Sequence, residues 1–173
     1  DPQAVYDDLA ERLVPRLADW CTLDALDDDG EMRETAVVHV DPRHTDLVRR
    51  MRAVRREVGG DGIWSVRRAM RTGRSERVED ITDEDLQAVA VDAEHLEVLR
   101  TLAPRSAMVA PLVARGRVLG GISLVTTGPR SYDGDDQALL ESIANRAATA
   151  VDTAMLFDSR TDVARALQRT LLP

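Results

Sequence analysis

The chain has 173 residues, 43% hydrophobic but only 3% aromatic, so one domain with a core of Leu, Val, Ile, Ala and Met is expected. The net charge of -8 argues against a nucleic-acid binder, whose affinity rests on basic contacts to phosphate, and against docking on an anionic membrane. A lone cysteine, Cys21, excludes an intrachain disulfide and a Cys-based metal cluster, and no run approaches the ~20 apolar residues of a membrane span; a cytoplasmic location is expected.

Val5, Leu9, Leu13 and Leu17 recur every four residues and predict a helix over 4–19, kinked at Pro15. Residues 20–26 read as a strand, Asp27 to Gly30 as a turn, and residues 34–40 as a second strand. Asp41-Pro42 is an N-cap followed by proline at the first helical position. The helix after it carries Leu47, Met51, Val54 and Val58 on one stripe and ends at Gly59-Gly60. A short helix over 63–72 stops at Gly73, a C′ glycine. Residues 76–80 are extended. Thr82 with Asp85 forms a capping box and opens one helix through Leu86, Val89, Ala93, Leu96 and Leu99, closed by Pro104. Residues 106–114 and 118–126 form a hairpin about Arg115-Gly116. Asp133 caps a last helix that nothing breaks before Pro173.

This order leaves too few parallel crossovers for a doubly wound fold. A mixed α/β (α+β) architecture is expected: an antiparallel sheet of five or six strands with helices on both faces. The last helix would run roughly 60 Å at 1.5 Å per residue, so its end must leave the domain. Its seam of Leu140, Ile143, Ala147, Val151, Ala154, Phe157, Ala164, Leu167 and Leu171 has the spacing of three and four that a paired helix requires, although Asp158 and Thr161 dilute it. A homodimer through this helix is expected, with docking on its own sheet as the alternative for part of its length.

Catalytic and metal-binding arrangements are sparse. Ser123 in Gly120-Gly121-Ile122-Ser123-Leu124 lacks the second glycine of a nucleophile elbow. No phosphate loop or dinucleotide fingerprint occurs. His39, Asp41 and His44 are the only cluster of ligand-type side chains, and their spacing does not ensure convergence; His39 reads as a hydrogen-bonded strand residue and His95 as a solvated helix residue. Asp27 to Asp29 and Asp133 to Asp136 occupy turn and cap positions where Asp is expected. Arg49, Arg50, Arg52, Arg55 and Arg56 form a basic helix face, either solvated or able to dock a partner or an anion.

Three segments in the right order carry a family resemblance. Ala110 to Ile122 resembles the final hairpin of GAF domains, Tyr132 to Ala148 resembles the start of their closing helix, and Leu17 to Cys21 resembles the first helix-to-strand junction of actinobacterial GAF domains. The resemblance implies a non-catalytic sensory domain over 1–158, with 159–173 a helical linker to an effector. It also implies a ligand site between the sheet and the short helices, where Trp64, Arg67 and Met70 would meet Met108 and Ala110. The cyclic-nucleotide motif of the family is missing, and Cys21 is not where a bilin would attach, so no cofactor is expected and the ligand is open. Ala166 to Pro173 is similar to the linker that precedes sporulation-type, type 2C serine phosphatase domains. That similarity implies a multidomain regulator with a phosphatase as output. A ligand-free dimerisation module and a histidine kinase sensor are the alternatives. The chain begins at Asp1 rather than Met, as expected of a segment cut from a longer protein.

Overall fold

The structure, a computed structural model, describes residues 1–171. Among these residues, strands β1 (Trp20–Leu26), β2 (Met32–His39), β3 (Glu76–Val78), β4 (Ser106–Ala114) and β5 (Arg117–Thr126) form one sheet. Its order is β2-β1-β5-β4-β3, with every neighbouring pair antiparallel. The helices are α1 (Pro2–Leu13), α2 (Thr45–Val58), α3 (Val66–Thr72), α4 (Asp83–Val89), α5 (Ala93–Leu102) and α6 (Gly134–Leu171). The expected antiparallel sheet, helices on both faces and long terminal helix are all present.

Local chemistry explains most boundaries. Arg115 and Gly116 both take positive φ, 50° and 73°, as the two-residue turn of a twisted hairpin demands. The Thr82–Asp85 capping box forms, each side chain accepting the other's backbone N–H. Asp133 and Asp136 cap α6 in the same reciprocal way. α1 stops at Leu13 instead of reaching residue 19, because Val14 precedes Pro15 and is extended, with ψ 127°; the residue before a proline avoids the helical region. The short helix starts at Val66 rather than residue 63, where Ser65 caps it by accepting from the Arg68 N–H. The single helix expected over 82–104 is two. Ala90 turns extended, and the Asp92 side chain then accepts from the His95 N–H and starts α5; a side-chain cap competes well with helix continuation.

The sheet is buried on both faces. On one, Tyr6, Ala10 and Leu13 of α1 and Leu140, Ala144, Ala148 and Val151 of α6 pack on Cys21, Leu23, Met108, Leu112, Ile122 and Leu124. The Tyr132 hydroxyl donates to the Leu17 carbonyl at 2.6 Å and fixes the entry to α6. On the other face, α2, α4 and α5 cover Trp20, Val37, Ala107 and Val125, and α3 covers Val109. Two glycines make this packing possible. A Cβ on Gly120 would stand 2.0 Å from the Asp24 carbonyl oxygen, and one on Gly121 would stand 2.4 Å from Val66 Cγ2.

The fate of α6 changes along its length. Up to Val151 its inner stripe is spent on its own sheet. Beyond it, Met155, Leu156, Phe157, Val163 and Leu167 are exposed, Phe157 at 69%. The stretch from Met155 to the last described residue, Leu171, reaches roughly 25 Å past the docked part. Leu172 and Pro173, the end of the segment similar to phosphatase linkers, lie outside the described residues. Among the described residues no helix is long and apolar enough to cross a membrane.

Candidate ligand-binding site

A cavity of about 120 Å³ lies on the sheet face opposite α1 and α6. Its floor is Trp20 and Thr22 of β1 with Ser123 of β5. Met51, Arg52, Arg55 and Arg56 of α2 form one wall. The loop before α3 closes the top with Ile63, Trp64 and Ser65, joined by Arg67 at the start of α3, while Val89, His95 and Leu99 complete the far side. Both tryptophans of the chain therefore face the same space, their rings tilted 54° with centroids 6.4 Å apart.

Arginine dominates the electrostatics. Arg52 is nearly buried and bonds both Asp24 carboxylate oxygens at 2.6 Å and Glu34 at 2.7 Å. Asp24 is fully buried on β1, an interior strand of the sheet. Burial pushes its carboxyl up and the Arg52 guanidinium opposes that rise; the same contacts hold Arg52 above its ordinary value. One Arg52 nitrogen, Nη2, donates to both Asp24 oxygens while Nη1 donates to Glu34, and the guanidinium does not lose its proton. Arg55 donates to the Val89 and Gly59 carbonyls. Among the described residues, Arg55, Arg56 and Arg67 form no ion pair, and none of the side chains lining the cavity is acidic.

His95 borders the same space, 4% exposed. Its Nδ1 accepts the Val91 N–H at 3.1 Å, so the neutral ring carries its proton on Nε2. That Nε2–H has no hydrogen-bond partner among the described residues; the Met51 carbonyl influences it without reaching bonding geometry. Burial, then the Arg55 charge, hold His95 below its ordinary value.

The five residues expected at the site do not all meet. Trp64 and Arg67 line the cavity. Met70 is buried beneath it, against Gly121. Met108 and Ala110 point to the opposite face and pack in the core under α6, because β4 presents Ala107 and Val109 to the cavity side instead. His95 is buried rather than solvated, since the break at Ala90 to Asp92 rephases α5 and turns it inward. The basic face of α2 is not simply solvated either: Arg49 pairs with Glu34, Arg50 with Glu94 and Arg52 with Asp24. His39, Asp41 and His44 do not converge. His39 Nδ1 accepts the Asp41 N–H, the Asp41 carboxylate turns to Arg43, and His44 sets its ring edge on His39. Sequence reasoning missed Trp20 and Ser123, whose orientation depends on strand parity.

The comparisons agree with this architecture. The GAF domain family model matches residues 1–151. GAF3 from Slr1393 of Synechocystis is similar in structure, with a TM-score of 0.63, 19% identity, and coverage of 92% of this chain and 98% of that one. The second GAF domain of DevS from Mycobacterium smegmatis has a TM-score of 0.62, 18% identity, and coverage of 92% and 99%. A domain assigned to a two-component sensor histidine kinase of Sinorhizobium meliloti has a TM-score of 0.61, 17% identity, and coverage of 92% and 96%. No curated protein matches the chain. Family model, sheet order and helices on both faces agree: the chain belongs to the GAF domain family, whose members are in general non-catalytic sensory and ligand-binding domains.

Proposed function

We propose that this domain senses a small molecule in the cavity beneath Trp64 and passes its occupancy to an effector through α6. The observation that carries this reading is the division of the two sheet faces. One holds a cavity with polar groups and both tryptophans; the other holds a helix that continues past the domain. Ligand contacts with β1 and β5 on one side act on strands whose other side seats α1 and α6. The exposed stretch with Phe157 and Leu167 pairs with that of a second copy, which turns a shift of the sheet into a shift of helix register. The effector is a type 2C serine phosphatase of an actinobacterial regulator, a reading supported by the resemblance of Ala166 to Pro173 and of Leu17 to Cys21.

A histidine kinase as output is the second reading, favoured by the similarity to the Sinorhizobium domain. The full-length gene product decides between them: manganese-dependent release of phosphate from a phosphoserine protein supports the first, and autophosphorylation on histidine from ATP the second. The sensing claim is tested by thermal-shift screening of metabolites together with native mass spectrometry of freshly purified protein. A ligand raises stability by RT ln(1 + [L]/Kd). A protein without co-purified mass and without a hit would leave a purely structural dimerisation module.

A further inference from the structure

We infer that the cavity selects a small carboxylate carried on a compact apolar body, about the size of benzoate or a branched short-chain acid. The inference rests on the sensing reading above and adds the chemical class of the ligand.

The charge pattern comes first. In a chain of net charge -8, the residues lining this cavity include Arg52, Arg55, Arg56 and Arg67 and no acid. Arg52 is already neutralised by Asp24 and Glu34. The other three form no ion pair among the described residues, so their guanidinium groups are open to an anion. Arg56 and Arg67 reach the cavity from different helices, α2 and α3. A guanidinium presents two parallel N–H groups that match the two oxygens of a carboxylate.

A second, independent group points the same way. The His95 Nε2–H is a buried donor with no well-formed hydrogen bond among the described residues, the Met51 carbonyl being close enough only for a weak one. A buried donor without a good acceptor is unfavourable, and a carboxylate oxygen in the cavity would accept from it. Burial, with the Arg55 charge behind it, disfavours a second proton on this ring, and with Nδ1 accepting from Val91 the proton it carries sits on Nε2.

Size and lining set the remainder of the molecule. About 120 Å³ is close to the ~150 Å³ of a cavity that admits benzene, which matches the volume of one small ring or a branched alkyl group. Trp20, Trp64, Met51, Ile63 and Leu99 offer apolar surface. The ligand therefore has an anionic end toward the arginines and one ring or a branched alkyl group against the tryptophans and Met51.

Because both tryptophans face the cavity, their fluorescence reports occupancy directly. Benzoate and isovalerate are titrated against their neutral amides, benzamide and isovaleramide, with inorganic phosphate as a bare anion. The acids are expected to change the emission saturably and to bind at least about tenfold more tightly than the amides, with phosphate weaker than either acid. Arg56→Ala and Arg67→Ala, exposed and outside any ion pair, are expected to weaken benzoate about tenfold each without changing the melting temperature of the free protein. Arg50→Ala, which removes a charge of α2 outside the cavity, is expected to leave binding intact. Equal binding of acid and amide would overturn the charge selection and leave the sensing reading standing. No saturable response to any of these compounds, with no mass co-purified, would overturn both.

Discussion

At the residue scale the buried charges of the cavity wall govern stability. Asp24 has no contact with water, and its two oxygens are held by a guanidinium that is itself almost buried. Removing one partner of such a pair strands the other charge. Asp24→Ala is expected to lower the free energy of unfolding by about 3 kcal/mol, read from urea denaturation at neutral pH; a loss under about 1 kcal/mol would mean that Glu34 alone suffices for Arg52. The histidines give a pH dependence. His95 and His39 are both held below their ordinary value of 6.5, chiefly by burial. As pH falls through 6.5 the unfolded chain takes up protons that the folded one resists, so stability is complete above that value and declines below it. Asp41 and Asp83, depressed to about 2 by Arg43 and Arg100, lose their contribution only below 3.8, outside this window. The urea midpoint is therefore expected to fall between about pH 7.5 and about pH 5.5. His95→Asn keeps an acceptor for the Val91 N–H and is expected to flatten that slope; an unchanged slope would remove His95 from the account.

At the element scale the placement of α3 rests on one missing methyl group. Gly121 leaves room for Val66 and Met70, and a Cβ there would meet their side chains at 2.4 and 3.2 Å. Gly121→Ala is expected to lift α3 from β5 and cost about 1–3 kcal/mol through overpacking. It is also expected to shift the emission of Trp64, which sits two residues before α3. An alanine variant with unchanged stability and emission would show that α3 seats without this contact. How far these elements were legible in the sequence differs by kind. The Thr82–Asp85 capping box, the Arg115-Gly116 turn and the C′ Gly73 are written in nearby residues, and each forms as read. Strand parity is not written locally. β1 and β4 are buried on both faces, so no polar alternation marks which side chains face the cavity; Met108 and Ala110 fell on the wrong side for that reason, and Trp20 was missed. The true role of the α2 arginines was equally hidden, because Asp24 and Glu34 lie 28 and 18 residues away from Arg52.

At the scale of the whole molecule, α6 changes from a core element to an unsupported one. Leu140, Ala147 and Val151 are buried on the sheet and are not free to form a seam with another chain, while Ile143 is half-buried beside them. The paired-helix seam expected from the sequence is thereby divided: its first half belongs to the domain, and Phe157, Ala164 and Leu167 remain open. Isolated helices of about 15 residues are marginal in water, and the stretch from Met155 is of this length, so its helicity needs the docked half behind it and a partner beside it. Apolar side chains on such a stretch gain roughly 25 cal/mol per Å² on burial, and a second copy offers the same stripe in parallel. The protein is expected to sediment as a dimer at micromolar concentration. Phe157→Asp combined with Leu167→Asp is expected to produce monomers, because like charges would face each other across the seam. The same pair of changes should leave the melting of the domain within about 0.5 kcal/mol, since both side chains are exposed. A double variant that still sediments as a dimer would move the interface off this stretch. Monomeric wild-type protein would leave α6 without a partner helix, and any signal from the cavity would then have to travel along a single chain.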